Sequence, residues 1–451
     1  MTLAMTKRSE AERALVVGLG LTGLSCVRHL VARGYQVTAV DTRAAPPRLE
    51  DARREFPQVE AHIGGLPERL FDDPGLLVVS PGVSLTEPAI ARAIARGAQP
   101  IGDIELFARE AKAPVLAITG ANGKSTVTAL TGELCRAGGL DTRVGGNIGT
   151  PALELLEGPP PAAYVLELSS FQLETAWSLD ARAATVLNIT PDHMDRYAGL
   201  DDYATAKRRI FHGHGAMVLN ADDPLVMKMS EPGRRTIRFG LGRPQTGDDY
   251  GLIEHDAAPW LARGGETILP AAEVPLPGLH NVANALAAIA LAQTLGVSSA
   301  SCRRAVRAFK GLPHRTELVA ERDGIKWIND SKGTNVGATV AALSGMTSPA
   351  ILIAGGDGKG QDFSLLRDAV RDHARAVVLI GRDAPLIERA LAGIVPLPRA
   401  RDLKDAVETA RTLARPGDVV LLSPACASFD MFRNYEHRGE VFRATVKEVL
   451  R

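Results

Sequence analysis

The chain is 451 residues long, enough for about three domains of ordinary size, each able to bury its own core. Its 52 basic residues balance 52 acidic ones and aromatics are only 4%, which argues against duplex nucleic acid, an anionic membrane surface or a base-stacking platform as partner. Four scattered cysteines (Cys26, Cys135, Cys302, Cys426), no signal-length apolar N-terminus and no run near ~20 apolar residues predict a cytoplasmic protein. On this reading its thiols are reduced, and it has no zinc cluster and no membrane insertion.

Ala14-Leu15-Val16-Val17 reads as a strand, followed by the turn Gly18-Leu19-Gly20-Leu21-Thr22-Gly23 and a helix to about Arg33. Tyr35 to Val40 is the next strand and ends at Asp41. A G-x-G-x-x-G turn with an acid about twenty residues on is the βαβ pattern that brings a pyrophosphate to a helix N-terminus. Asp41 can accept from a ribose or base; the same glycines can also serve packing alone. The strand Leu76 to Val79 runs into Ser80-Pro81-Gly82, at the carboxyl end where ligands of open α/β sheets bind. A helix over Pro88 to Gly97 follows, and a first domain boundary is expected near residue 102.

Pro114 to Ile118 reads as a buried strand leading into Thr119-Gly120-Ala121-Asn122-Gly123-Lys124-Ser125-Thr126, with helical spacing from Val127 to Arg136. Strand, glycine loop, then Lys-Ser opening a helix is the layout that cradles nucleotide phosphates, with Lys124 on the outer phosphates and Ser125 able to hold magnesium. Ile118 stands where the full pattern wants glycine, so the loop is a variant. Gly145 to Gly149 reads as a polar turn. The strand Ala163 to Leu168 carries Glu167 among apolar neighbours, a position that suits a carboxylate serving the magnesium of a nucleotide, or a buried acid satisfied by neighbours.

The strand Ala184 to Ile189 ends in Thr190-Pro191-Asp192-His193, which sets His193 near the phosphates or in a structural loop. Lys207 lies in a basic helix, Tyr203 to Arg209, whose plain reading is a solvated face. Residues from about 214 to 270 look like the edge and surface of the same domain. Asn281 and Asn284 share a face at the start of an alanine-rich helix and suit either a purine edge or a cap.

A second boundary is expected near Gly311. Beyond it the strands Ile325 to Ile328, Ala350 to Ala354, Ala376 to Ile380 and Val419 to Leu422 build a third α/β unit. Asn329-Asp330-Ser331-Lys332-Gly333-Thr334-Asn335, Gly355 to Gly360 and Ser423 to Asp430 follow three of them, so one rim of an open sheet carries polar, charged and small residues.

Taken in this order, these stretches resemble the ATP-dependent Mur ligases of bacterial cell-wall synthesis over essentially the whole chain. They are Gly18 to Gly23, Thr119 to Thr126, Glu167 to Gln172, Asp192 to Arg196, Leu312 to Arg315, Asn329 to Lys332, Gly356 to Lys359 and Ser423 to Asp430. The resemblance implies three α/β domains: a Rossmann-like UDP-binding module (1–102), a P-loop ATPase-type parallel sheet (103–311) and a Rossmann-like amino-acid-binding module (312–451).

It further implies ligation of D-glutamate to UDP-N-acetylmuramoyl-L-alanine through an acyl phosphate, by a monomer using ATP and two magnesium ions. Leu21, Thr22, Asp41, Thr42, Arg43, Ser80, Gly82 and Asn147 would hold the UDP-substrate. Gly120, Asn122, Gly123, Lys124, Ser125, Thr126, Asn281, Asn284, Arg315 and Asp330 would hold ATP. Ser125, Glu167, His193 and a carboxylated Lys207 would serve the metals, with Lys124, His193 and Lys207 in the chemistry. Lys332, Thr334, Lys359, Ser428, Phe429 and Tyr435 would form the glutamate pocket. Ala121, Phe429 and Tyr435 depart from the family's usual residue types.

Three other classes compete. They are a sister ligase with a different amino acid, a nicotinamide oxidoreductase built on Gly18 to Asp41, and a nucleotide-switched binding protein without ligase chemistry.

Overall fold

A computed structural model describes residues 12–346 and 348–451. Four short parallel strands open the chain: β1 (Arg13–Val17), β2 (Gln36–Asp41), β3 (Glu60–Ile63) and β4 (Leu76–Val79), in the order β3-β2-β1-β4. Helix Leu21–Ala32 crosses from β1 to β2, and helix Pro88–Ala95 follows β4. The strand order reverses at β1, so the carboxyl ends of β1 and β4 flank a topological switch point. Leu15, Val17, Val40, Leu77 and Val79 pack with Ile90 into one core.

Next come β5 (Val115–Thr119), β6 (Thr142–Gly146), β7 (Ala163–Glu167) and β8 (Ala183–Val186). β7 pairs in parallel with β5 on one side and β6 on the other. All residues of β5 and β7 are buried, as strands covered on both faces must be. The expected turn at Gly145 is the end of a strand; only Asn147 onward leaves the sheet. Helix Lys124–Ala137 follows β5 after the loop Gly120 to Gly123 and opens at Lys124, where the Lys-Ser pair is expected to begin it.

The stretch from 214 to 270 is a sheet region: β9 (Ala216–Asn220), β10 (Thr236–Phe239), β11 (Tyr250–His255), β12 (Ala258–Arg263) and β13 (Glu266–Pro270). β9, β10 and β11 pair in parallel, whereas β11-β12-β13 is an antiparallel meander, so this part is mixed and not wholly parallel. Helix Leu279–Gln293 carries ten buried residues.

The last five strands are β14 (Glu317–Arg322), β15 (Ile325–Asn329), β16 (Ala350–Gly355), β17 (Ala374–Ile380) and β18 (Val419–Leu422), in the order β14-β15-β18-β16-β17. All neighbours are parallel except the edge strand β14, a strand not expected from the sequence. Apolar residues fill both faces of this sheet.

By proximity the chain divides into two compact units. Of the described residues, the first takes in those up to Thr119 with Leu140–Ala184 and Thr205–Ala216; the second takes in those of Gly120–Gly139, Thr185–Ala204 and Met217–Arg451.

Candidate active site

In the first unit, the turns after β1, β2 and β4 meet. Gly18 has φ +96° and a Cβ there would lie 3.0 Å from the Ser80 side chain; a Cβ on Gly23 would overlap the Gly18 carbonyl. Glycine is therefore required at both. Ser80 Oγ donates to the Gly18 carbonyl at 2.9 Å and ties the third turn to the first. Asp41 is buried and accepts from Leu19 N at 2.7 Å and from the Arg43 guanidinium at 2.9 and 2.7 Å. Burial alone would push its carboxyl up, but Arg43 and the backbone N–H donors of Leu19 and Arg43 hold it below the usual carboxylate range. Asp41 thus pins the glycine turn, while Leu21 stands 46% exposed beside it.

Glu167 ends β7 opposite Ile118 of β5, two residues before the glycine loop. Its Oε1 accepts from Asn147 Nδ2 at 2.9 Å, while Oε2 is buried without a hydrogen-bond partner. Asn147 is held to this strand by its backbone as well, through Asn147 N to the Glu167 carbonyl at 2.8 Å. An orphaned buried carboxylate oxygen is costly unless a cation or donor meets it, so Glu167 fits a metal. Lys207 is 1% exposed, not on a solvated face, and its Nζ lies 3.4 Å from Thr119 Oγ1. Among the described residues no three His, Cys, Asp or Glu side chains gather as a metal-holding group.

In the second unit the phosphate loop is Gly120 to Gly123, with φ +154° and +83° at its two glycines. Asn188 clasps it: Asn122 N donates to Asn188 Oδ1 at 2.8 Å, and Asn188 Nδ2 returns to the Asn122 carbonyl at 3.1 Å. Lys124 Nζ donates to the carbonyls of Gly120 and Ala121 at 2.9 and 2.8 Å, which folds the lysine across the mouth of the loop. Ser125 Oγ accepts from Arg315 Nη2 at 2.5 Å. Arg315 is flanked by His314 and Thr316 at φ +62° and +48°; a β-branched residue in that region is strained, as functional loops often are.

A narrow cleft, open to solvent, joins this loop to the third sheet. Asn122, Gly123 and Thr126 line it together with Asn281, Asn284, Arg315, Asp330 and Lys332. Most residues expected at ATP are thus brought together. Neither asparagine of the helix caps it: Asn281 Nδ2 donates to the Pro277 carbonyl at 2.7 Å, and its Oδ1 accepts from Asn284 Nδ2 at 3.2 Å. His280, which no motif singles out, lines the same cleft; burial lowers its imidazole to about 4, so it is neutral.

Asp330 follows β15, and its carboxylate accepts from Ser423 Oγ at 2.7 Å and Thr316 N at 3.2 Å. Burial pushes its carboxyl up to about 6, against the Ser423 hydroxyl, the Thr316 N–H and the charges of Arg315 and Arg438.

At the same rim Lys332 Nζ sits 3.8 Å from the centre of the Tyr435 ring, a cation–π contact. Asp357 and Ala427 exchange backbone hydrogen bonds of 3.0 and 2.8 Å, which joins the loop carrying exposed Lys359 to the loop carrying buried Ser428. Gly356 makes that junction possible, because a Cβ there would lie 2.3 Å from the Ala427 carbonyl. Phe429 is 67% exposed. Thr334 N bonds the Lys332 carbonyl at 2.8 Å, which closes the turn.

Arg438, also unforeseen, is 1% exposed and donates to Ser331 Oγ, the Ser331 carbonyl and the Cys426 carbonyl at 3.0, 2.8 and 3.1 Å. Burial lowers its guanidinium to about 10. It braces the two loops beside Lys332 and Ser428. His193, at φ +57°, takes its backbone N–H to Asp192 Oδ1 at 3.0 Å in the turn after β8.

The glycine turn after β1, the glycine loop before helix Lys124–Ala137 and the polar rim of the last sheet all lie on α/β sheets, and three family models match the chain in that order. These are the Mur ligase MurD-like N-terminal domain at residues 12–102, the Mur ligase middle domain at 118–292, and the Mur ligase glutamate ligase domain at 314–426. The chain belongs to the Mur ligase family.

Within it, the chain is 53% identical over 442 residues to the UDP-N-acetylmuramoylalanine–D-glutamate ligase of Nitrosococcus oceani, covering 98% of this chain and 97% of that one. It is 52% identical to the enzyme of the same name from Thiobacillus denitrificans, covering 97% and 96%. Solved structures share the fold at lower identity. UDP-N-acetylmuramate-alanine ligase MurC of Thermotoga maritima aligns with TM-score 0.61 at 20% identity, over 97% of this chain and 100% of that one. MurF of Acinetobacter baumannii aligns with TM-score 0.61 at 18% identity, over 97% and 91%. Among the described residues no helix is long and apolar enough to cross a membrane.

Proposed function

We propose that this chain is an ATP-dependent ligase that joins D-glutamate to UDP-N-acetylmuramoyl-L-alanine in peptidoglycan precursor synthesis, acting as a cytoplasmic monomer. The observation that carries the reading is identity above 50%, over nearly the full length, to relatives that bear this ligase's name. Three modules with boundaries near residues 102 and 311 divide the work.

The turns at Leu21–Thr22, Asp41–Arg43 and Ser80–Gly82 hold the UDP end, with Asn147 further along the substrate. Gly120 to Thr126 cradle the phosphates of ATP on backbone N–H groups. Asn281 and Asn284 face the adenine, and Arg315 and Asp330 serve the phosphate and ribose ends. The substrate's terminal carboxylate attacks the γ-phosphorus, ADP leaves, and an acyl phosphate forms. The D-glutamate amine then attacks the acyl carbon, and the tetrahedral intermediate collapses with loss of orthophosphate.

Lys124 offsets the repulsion between carboxylate and phosphate, and positioning does most of the rest. Ser125, Glu167, His193 and Lys207 would hold two magnesium ions, which when bound neutralise phosphate oxygens. The unpartnered Oε2 of Glu167 supports that role. Carboxylation of Lys207 would turn a buried cation into an anionic ligand. Lys332 and Lys359 clamp the glutamate carboxylates, with Thr334, Ser428, Phe429 and Tyr435 around them. Identity to ligases over nearly the full length favours this reading over a nicotinamide oxidoreductase built on Gly18 to Asp41.

The test is a panel of amino acids of both configurations, assayed for orthophosphate with ATP, magnesium and UDP-N-acetylmuramoyl-L-alanine, with and without bicarbonate. D-Glutamate alone should drive release, and removal of carbon dioxide should lower it. No release with D-glutamate overturns the reading, and full activity without carbon dioxide removes the carbamate from it.

A further inference from the structure

Asn335 stands at the head of helix Val336–Ser344, where its Oδ1 accepts from Ala338 N at 2.8 Å. That bond settles which way the amide faces, so both N–H donors of Nδ2 point away from the helix. They meet Asn122 Oδ1 at 3.3 Å and Asp192 Oδ2 at 3.2 Å. The residue is 3% exposed, so water does not compete for those donors. A second feature shows that the contact is built in. A Cβ on Gly337 would lie 2.9 Å from Thr190 Oγ1 and 3.3 Å from Asn122 Nδ2, so the first helical turn is seated against both.

The two acceptors lead to different parts of the site. Asn122 belongs to the phosphate loop, where its Nδ2 also donates to Thr190 Oγ1 at 3.3 Å. Asp192 holds the next residue in place, since its other oxygen accepts from His193 N at 3.0 Å.

We propose that Asn335 is a positioning residue that sets the phosphate loop through Asn122 and the His193 turn through Asp192. It does so from a helix that begins two residues after Thr334. An amino acid bound at the Lys332–Thr334 turn therefore bears on the nucleotide loop through one side-chain amide. The proposal rests on the ligase reading for what binds at each end, and not for the geometry.

Asn335→Asp tests it, because aspartate caps a helix as well as asparagine does. The substitution keeps an acceptor for Ala338 N but replaces the two donors with an oxygen facing the Asp192 carboxylate. The thermal midpoint should stay within a few degrees of the parent, while the Kd for a non-hydrolysable ATP analogue rises about tenfold or more and kcat falls in step. The reciprocal exchange, Asn335→Asp with Asp192→Asn, returns a donor to the pair and should recover most of the loss. Should Asn335→Asp not fold, Asn335→Ser keeps a cap without the reach or the charge and should show the same weakened binding. Parent-like nucleotide affinity in the folded variant, or no recovery in the exchange, overturns the proposal. Nucleotide binding is read without turnover, so a parent that releases no orthophosphate would sink the ligase reading alone.

Discussion

Asp330 shows how one buried group trades stability for use. Its carboxyl is raised to about 6 by burial, above the ~3.9 of an exposed aspartate. Between those values the folded chain holds a proton that the unfolded chain has lost, so Asp330 contributes less stability as pH rises from about 4 through about 6. Asp330→Asn should therefore be more stable than the parent at pH 7.5, by on the order of 2 kcal/mol in urea denaturation. The gap should narrow toward pH 4.5, and nucleotide affinity should fall. An equal gap at both pH values would place the cost elsewhere than in the buried charge.

The residues expected at the nucleotide were legible as candidates, although Gly, Asn and Asp at strand and helix ends serve turns and caps as well. Lys207 was less so. In the run Lys207-Arg208-Arg209 three cations look alike, yet Arg208 is exposed while Lys207 is buried. Only the packing of its helix separates them. Arg438 was illegible for the same reason: an arginine within a charged helix is by default solvated, and here it braces two loops from inside.

At the scale of elements, the phosphate loop and the helix after it form one piece. Gly123 caps helix Lys124–Ala137 at φ +83°, and a Cβ there would come within 2.6 Å of Asn284 Oδ1. Gly123→Ala forces a left-handed conformation, costing about 1–2 kcal/mol, and displaces an amide that faces the cleft. Nucleotide binding should weaken at least about tenfold by isothermal titration, more than the fall in thermal stability alone would give. Equal binding would mean the loop tolerates a side chain.

Strands with continuous apolar runs were foreseen, and the irregular ones were not. β6 ends in two glycines, residues of poor strand propensity. Yet Gly145 and Gly146 pair with Leu166 and Glu167, where a Cβ would strike the Thr150 and Glu167 carbonyls at 2.3 and 2.4 Å. β14 mixes charged residues (Glu317, Glu321, Arg322) with apolar ones and lacks an unbroken apolar run, because an edge strand is not covered on both sides.

Over the whole molecule, the residues expected at UDP lie in the first unit and the phosphate loop in the second. Lys124→Ala should therefore separate the two functions. Orthophosphate release should fall below about one hundredth of the parent, since a point charge on the outer phosphates is lost. The UDP-linked substrate should still raise the thermal midpoint, with a linkage of about 2.7 kcal/mol at a hundred times its Kd. Turnover within tenfold of the parent would count against Lys124 at the phosphates, and loss of the shift would join the two sites.

The amino-acid sequence by itself determined the fold class, the glycine turns and the order of the polar strand ends. Backbone geometry admits few residue types at a left-handed turn, and a covered parallel strand needs an unbroken apolar run. Tertiary structure alone decided which polar side chains are spent on one another: Ser125 on Arg315, and Asn335 on Asn122 and Asp192. Such pairings join residues up to 213 positions apart, and a side chain's hydrogen bonds depend on what folding carries to it, which no local spacing encodes.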